Sequence, residues 1–222
     1  MPKQTFVNLD TRKKRLITES FLREFTIKSY DEASITEVVK ELGIAKGSVY
    51  QYFDNKLDLY MHLIEVCSNV KMRYIASLKR TDYSDFWAYF RDLYVHGYDF
   101  DSENPLKSHF LHNLVQNLNS PSVKTLFDQM KTHTIAGFEK LVSYEVEQGL
   151  FRSDIPIRTQ AFLLYKIGVS IQEYLEHTRI INPTESIKTN EPVYKHKKTV
   201  LLQTVDEFIR LSKPSFNKSI HL

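Results

Sequence analysis

Between Ile35 and Phe53 the apolar residues fall into two short helical sets, and one glycine separates them. Ile35, Val38, Val39 and Leu42 share one helix face. Ser34 stands before them and Glu37 three residues later, the pattern of a capping box. Gly43 follows the last apolar position, where a left-handed residue commonly ends a helix. A second short helix is predicted from near Ala45. Advancing by helical steps from Val49 puts Ala45 and Phe53 about 40° to either side, so these three mark its buried face. Two short helices joined by a tight glycine turn make a helix-turn-helix.

The opposite face of the second helix is unusual. Gly47 and Gln51 point away from Val49, with Ser48 and Tyr50 on the flanks. A mid-helix glycine in solvent costs roughly 1 kcal/mol relative to alanine. Its use is to let the helix backbone approach another surface closely. Gln51 can pair with a base edge, Ser48 with base or phosphate, and Tyr50 with phosphate. Lys46 and Lys56 bracket the face. The alternative is that Gly47 serves a turn and the tyrosines are half-buried packing. Upstream, Asp10 is a plausible N-cap for a helix of about 17 residues. Ile17, Phe21 and Phe25 form its apolar face. Arg12, Lys13, Lys14 and Arg15 crowd its first turn, the wrong end for the helix dipole. Such a run is either a solvated surface or a place where external phosphates offset the dipole.

The rest of the chain reads as all-α. Only 6 of its 222 residues are glycine, and apolar residues recur with helical spacing. The lone cysteine, Cys67, excludes an internal disulfide framework and fits a reducing, cytoplasmic setting. No apolar run approaches a membrane span, and the start, MPKQTFVNLDTRKKRL, lacks the apolar core of a signal peptide. Leu57, Tyr60, Met61, Ile64, Cys67 and Val70 follow helical spacing. A further helix opens at Asp82 or Ser84, and Pro105 and Pro121 mark two more helix starts. The helix after Pro121 is predicted to end at Gly149, and the last helix to span 194–211. The breaker-rich stretch 182–192 reads as a loop.

GIAKGSVYQYFDNKLDLY resembles the DNA-binding signature of TetR-family transcriptional regulators through Gly43, Lys46, Gly47, Val49, Tyr50, Tyr52, Phe53, Lys56 and Leu59. SITEVVKELGI resembles that family's first DNA-facing helix, with Thr36 at the phosphate-contacting threonine. The likeness covers about residues 10–62. Ala45 departs from it, standing where serine or threonine is common, and alanine is a poor cap. The resemblance implies a three-helix DNA-binding domain over 1–55 and a helical effector-binding and dimerisation domain over 56–222, about nine helices in all, with a long fourth helix over 56–80 and an eighth over 158–177.

It further implies that Gln51 and Ser48 face bases, while Lys46, Tyr50, Tyr52, Lys56, Thr36 and Arg12, Lys13, Lys14 and Arg15 hold phosphates around the close approach at Gly47. The last two helices would pair across a homodimer through Phe162, Tyr165, Val200, Leu201, Val205 and Phe208. Two copies would then meet a double-stranded palindromic operator with half-sites roughly 34–36 Å apart. Composition and resemblance together point to a small, mainly apolar effector against Phe86, Trp87, Phe90, Tyr94, His109, Phe110, Asn113, Leu114, Phe127 and Met130. The implied function is that of a repressor released by such a ligand.

No nucleophile elbow, phosphate loop, HExxH or cysteine cluster is present, so no enzyme activity and no cofactor are expected. His109, His112 and His133 could approach a metal, but scattered histidines in an aromatic body are more often core or surface, and no metal is expected. Two alternatives keep the fold and change the function. One is a small-molecule-binding protein or enzyme with a vestigial helix-turn-helix; the other is a DNA-organising protein without an inducer.

Overall fold

The computed structural model describes residues 1–116 and 120–218 of the chain. Among these residues lie eleven α-helices: α1 Gln4–Val7, α2 Thr11–Ile27, α3 Ile35–Glu41, α4 Lys46–Tyr52, α5 Lys56–Ile75, α6 Phe86–Glu103, α7 Pro105–Gln116, α8 Lys124–Glu147, α9 Ile157–His177, α10 Pro183–Thr189 and α11 Lys198–Phe216. One 3-10 turn, Arg80–Asp82, separates α5 from α6. The β pairing among the described residues is an isolated antiparallel bridge between Phe151 and Asn217.

The all-α class is as expected, and two helices exceed the expected number. The α1 helix is too short to carry a periodic signal. The α10 helix forms within the predicted loop because its ends suit a helix: Pro183 takes the first position, Glu185 the first turn and Lys188 the last. Three boundaries also move. The α5 helix stops at Ile75 rather than 80, because Arg80 turns inward to a buried partner. The α11 helix begins at Lys198, after His196 adopts a positive φ of 58°, and continues through Pro214 to Phe216.

The chain forms two compact units. One comprises residues 1–73, 100–124 and 184–193. Tyr60 is at its centre, with the rings of Phe25 and Tyr30 each 5.0 Å away and that of Phe110 at 5.6 Å. The α7 helix packs on α2 and caps it. Asn113 Nδ2 donates to the carbonyls of Phe25 (3.0 Å) and Thr26 (3.1 Å), which a helix end would otherwise leave unpaired. Cys67 is fully buried here, and burial pushes its thiol up to about 12, so it behaves as a small apolar core residue.

The other unit comprises residues 74–99, 125–183 and 194–222. Phe86, Trp87, Phe151 and Phe216 close into an aromatic cluster, with ring centroids 5.3–6.0 Å apart among the contacting pairs. Trp87 Nε1 donates to Asn217 Oδ1 at 2.9 Å. The amide of Arg152 donates to Phe216 O (2.8 Å) and that of Lys218 to Leu150 O (3.0 Å), strapping the end of the chain to the α8–α9 connection. Arg80 makes a two-pronged ion pair with Glu145, through Nε to Oε1 and through Nη2 to Oε2 at 2.8 Å, and Glu145 is fully buried.

Two outcomes follow from these cores. Removing one partner of a buried pair strands the other charge, so Arg80→Ala is expected to cost about 3–5 kcal/mol in denaturant unfolding. His112 is buried beside His109, and desolvation, reinforced by that neighbour, lowers its pKa to about 4; Asp101 opposes the shift. Burial lowers His109 as well. A depressed histidine leaves stability intact above its unfolded pKa and loses it as pH falls towards the folded value. Stability should therefore drop between about pH 6.5 and 4, and His112→Gln should flatten that part of the melting-temperature profile relative to the parent.

Candidate nucleic-acid interface

The α2 helix begins where the sequence predicts, with Asp10 Oδ1 accepting from the Lys13 amide at 2.9 Å. In α3, Ser34 accepts from the Glu37 amide at 3.3 Å. The reciprocal half of the expected capping box is made by a different residue: the Ser34 amide donates to Glu24 Oε1 at 2.7 Å. Glu37 instead joins Glu24 in holding the Lys28 ammonium, and these bonds raise the Lys28 pKa. The α3 helix ends in a complete Schellman turn. Gly43 has φ 65°; its amide meets Lys40 O at 3.2 Å, and the Ile44 amide meets Val39 O at 3.0 Å.

The α4 helix follows, with Ala45 at its N-cap in an extended conformation and no side-chain cap. Val49, Tyr52 and Phe53 are buried. Ala45 is exposed rather than buried, because it precedes the helix and helical phase cannot be carried back through it. Lys46, Gly47, Tyr50 and Gln51 are exposed and Ser48 is half-exposed. Gly47 is the second helical residue rather than a mid-helix one, its φ is not positive, and a Cβ built there would meet nothing within 4 Å. Nothing inside the fold requires a glycine at that position.

Thr36, Arg12, Lys13 and Arg15 are also exposed. Arg12 and Lys13 share a surface groove of about 380 Å³ with Leu42 and Ile44, so the basic turn of α2 flanks the helix-turn-helix junction. Three expected phosphate contacts sit elsewhere. Tyr52 is a core residue, its ring edge-on to Phe6 at 5.7 Å. Lys56 is half-buried, with its ammonium 4.8 Å from the Tyr30 ring centroid, and burial lowers its pKa. Lys14 Nζ donates to Val7 O at 2.9 Å. The sequence reading also missed the segment that meets the far end of α4: Lys3, Thr5 and Phe6 pack or bond there. Phe6 was the one available signal, an apolar residue ahead of the Asp10 cap.

The expected effector residues fall in both units. Phe86, Trp87 and Phe90 belong to the close-packed aromatic core of the second unit, and Phe127 is also buried. Tyr94 donates to Gly168 O at 3.3 Å and Met130 is half-exposed. His109, Phe110, Asn113 and Leu114 belong to the first unit, where Asn113 caps α2. Of the expected dimer residues, Leu201 and Val205 are buried within the chain, so they are not available to a partner; Tyr165, Val200 and Phe208 are half-buried, and Phe162 is 44% exposed. No group of three histidine, cysteine, aspartate or glutamate side chains is placed to hold a metal among the described residues. Among them, too, no helix is long and apolar enough to cross a membrane.

Residues 17–63 match the model of the family described as "Bacterial regulatory proteins, tetR family". An uncharacterized HTH-type transcriptional regulator, YuxN of Bacillus subtilis, is 32% identical over 83 residues, covering 37% of this chain and 28% of that protein. IcaR of Staphylococcus epidermidis, a negative transcriptional regulator of the biofilm operon icaADBC, is 28% identical over 68 residues, 31% of this chain and 37% of that protein. The chain thus spans only about a third of the length of these curated relatives. A TetR family transcriptional regulator from Chloroflexus aurantiacus has a similar fold along the whole chain, with TM-score 0.77, 25% identity and coverage of 99% of this chain and 100% of that one.

Proposed function

Because this chain belongs to the TetR family of bacterial transcriptional regulators, we propose that it is a cytoplasmic repressor that binds a palindromic operator as a homodimer through the exposed face of α4. The observation that carries this reading is Gly47. It lies open on a helix face with Gln51, Tyr50 and Lys46, and no internal packing accounts for it. A surface that must come close to the backbone does account for it. Gln51 and Ser48 supply base contacts; Lys46, Tyr50, Thr36, Arg12, Lys13 and Arg15 supply phosphate contacts. Tyr52 instead supports α4 from within the domain, and the Lys56 ammonium is held over the Phe25 and Tyr30 rings. Release by a small, mainly apolar effector belongs to the same reading on the strength of the family resemblance, and reciprocity then requires DNA to weaken effector binding by the same factor.

The test is a salt titration of binding to the chain's own upstream region and to a random duplex. Gln51→Ala should cost about 1–3 kcal/mol on the upstream fragment and relax preference at one position per half-site. Lys46→Met should weaken both duplexes alike and reduce the slope of log K on log salt by about 1 per lost contact. Lys56→Met should leave that slope unchanged and lower thermal stability. Gly47→Leu should abolish preference for the upstream fragment while circular dichroism stays native. Equal affinity of the parent for both duplexes would sink the proposal.

The dimer surface of this reading is the exposed apolar side of α9, where Phe162, Leu163 and Tyr174 are each more than 40% exposed. Phe162→Arg is expected to give monomer in light scattering with unchanged helicity. Val205→Arg, by contrast, should unfold the chain, because that side chain is fully buried within the protomer. A Phe162→Arg protein of unchanged mass would move the interface elsewhere.

A further inference from the structure

A seven-residue helix has few internal hydrogen bonds and ends in carbonyls with no partner in the helix. In α4 the Val49 carbonyl accepts from the Phe53 amide at 2.8 Å, which leaves the carbonyls of Tyr50, Gln51 and Tyr52. One segment meets all three. The Lys3 amide donates to Tyr52 O at 2.8 Å, Lys3 Nζ donates to Tyr50 O at 2.9 Å, and Thr5 Oγ1 donates to Gln51 O. The Lys3 ammonium also pairs with Asp54 Oδ1 at 2.8 Å, and its charge lies at the end of α4 that the helix dipole makes negative.

A second grip is apolar. Phe6 is 4% exposed, and its ring packs against Phe53 at 5.0 Å, Tyr52 at 5.7 Å and His62 at 5.4 Å. A third ties the segment down behind: Lys14 Nζ on α2 takes Val7 O, the last carbonyl of α1. The other end of α4 has no side-chain cap at all. The side chains of Tyr50 and Gln51 point outward while their carbonyls are held from behind.

We propose that the segment Lys3–Val7 is a clamp that fixes the last turn of α4, and that Lys3, Thr5 and Phe6 are positioning residues for DNA recognition. The second half of this statement rests on the function proposed above; the first does not. Without the clamp the last turn of α4 opens locally, and Gln51 loses the fixed backbone from which it reaches a base edge. Lys3 is a positioning residue rather than a phosphate contact because its ammonium is already committed to Tyr50 O and Asp54.

The experiment is amide hydrogen exchange on the full chain without DNA, followed by binding to the upstream fragment. Thr5→Val removes the donor at nearly constant shape, and Thr5→Ser keeps it. Exchange of the α4 amides should rise roughly 2- to 12-fold in Thr5→Val and stay near the parent value in Thr5→Ser. Phe6→Ala should raise it roughly 100-fold or more. Exchange in the middle of α2 should not move in Thr5→Val. Affinity for the upstream fragment should fall by a similar factor in Thr5→Val at an unchanged salt slope, because no charge has been removed. If α4 exchange is the same in Thr5→Val, Thr5→Ser and the parent, there is no clamp. Faster α4 exchange with undiminished binding would overturn the positioning role alone. If the parent prefers no duplex, the regulatory reading fails, while the exchange comparison still decides whether α4 is clamped. Should Phe6→Ala unfold the chain, the Thr5→Val and Thr5→Ser pair decides it.

Discussion

Helices of seven residues, as α3 and α4 both are, lie well below the roughly 12–15 residues at which an isolated helix becomes even marginal in water. Their order has to come from tertiary contacts, and those contacts form a chain of dependence. Tyr60 on α5 anchors Phe25 near the end of α2. Asn113 on α7 closes that end by taking its last carbonyls. Glu24 on α2 then holds the Ser34 amide at the start of α3, and the Schellman turn at Gly43 fixes the angle at which α4 departs. Each step after the first satisfies a backbone group that a helix end cannot satisfy by itself. The exposed face of α4 is the last link, and it carries no stabilising load of its own.

The same logic divides the cations. Lys3, Lys14, Lys28 and Lys56 are spent inside the domain, on carbonyls, carboxylates and aromatic faces. Arg12, Lys13, Arg15 and Lys46 remain exposed. The exposed set concentrates at the first turns of α2 and α4, where the helix dipole is already positive. That arrangement is unfavourable for the isolated protein and favourable for an anion presented from outside. The net charge of only +3 hides it, because charge placement rather than charge total decides which surface attracts phosphate.

Much of the first unit was legible because its signals are local. Asp10, Ser34 and Gly43 each act on backbone groups within a few residues, and Pro105 opens α7 at its first position as its missing amide allows. What escaped the sequence depends on distant partners. A capping-box spacing names Glu37 for the Ser34 amide, yet Glu24, ten residues earlier, takes it because the end of α2 lies closer. Tyr52 matches a phosphate-contacting position by motif and is buried because α1, invisible as a period, brings Phe6 against it. Lys56 is drawn from the surface by two aromatic rings more than twenty residues upstream.

The second unit was less legible for a related reason. Phe86, Trp87 and Phe90 supply bulk on one helix, and bulk alone fits either the wall of a cavity or the filling of a core. The distinction lies in what comes to meet them. Phe151 sits in a connection and Phe216 at the last turn of a proline-containing helix, and neither belongs to a pattern that advertises burial. The strap through Arg152 and Lys218 delivers both rings to the same place. A cavity is the space that a full set of partners fails to fill. The residues of one helix therefore cannot specify it, and a pocket inferred from aromatic content is the part of such a chain that sequence constrains least.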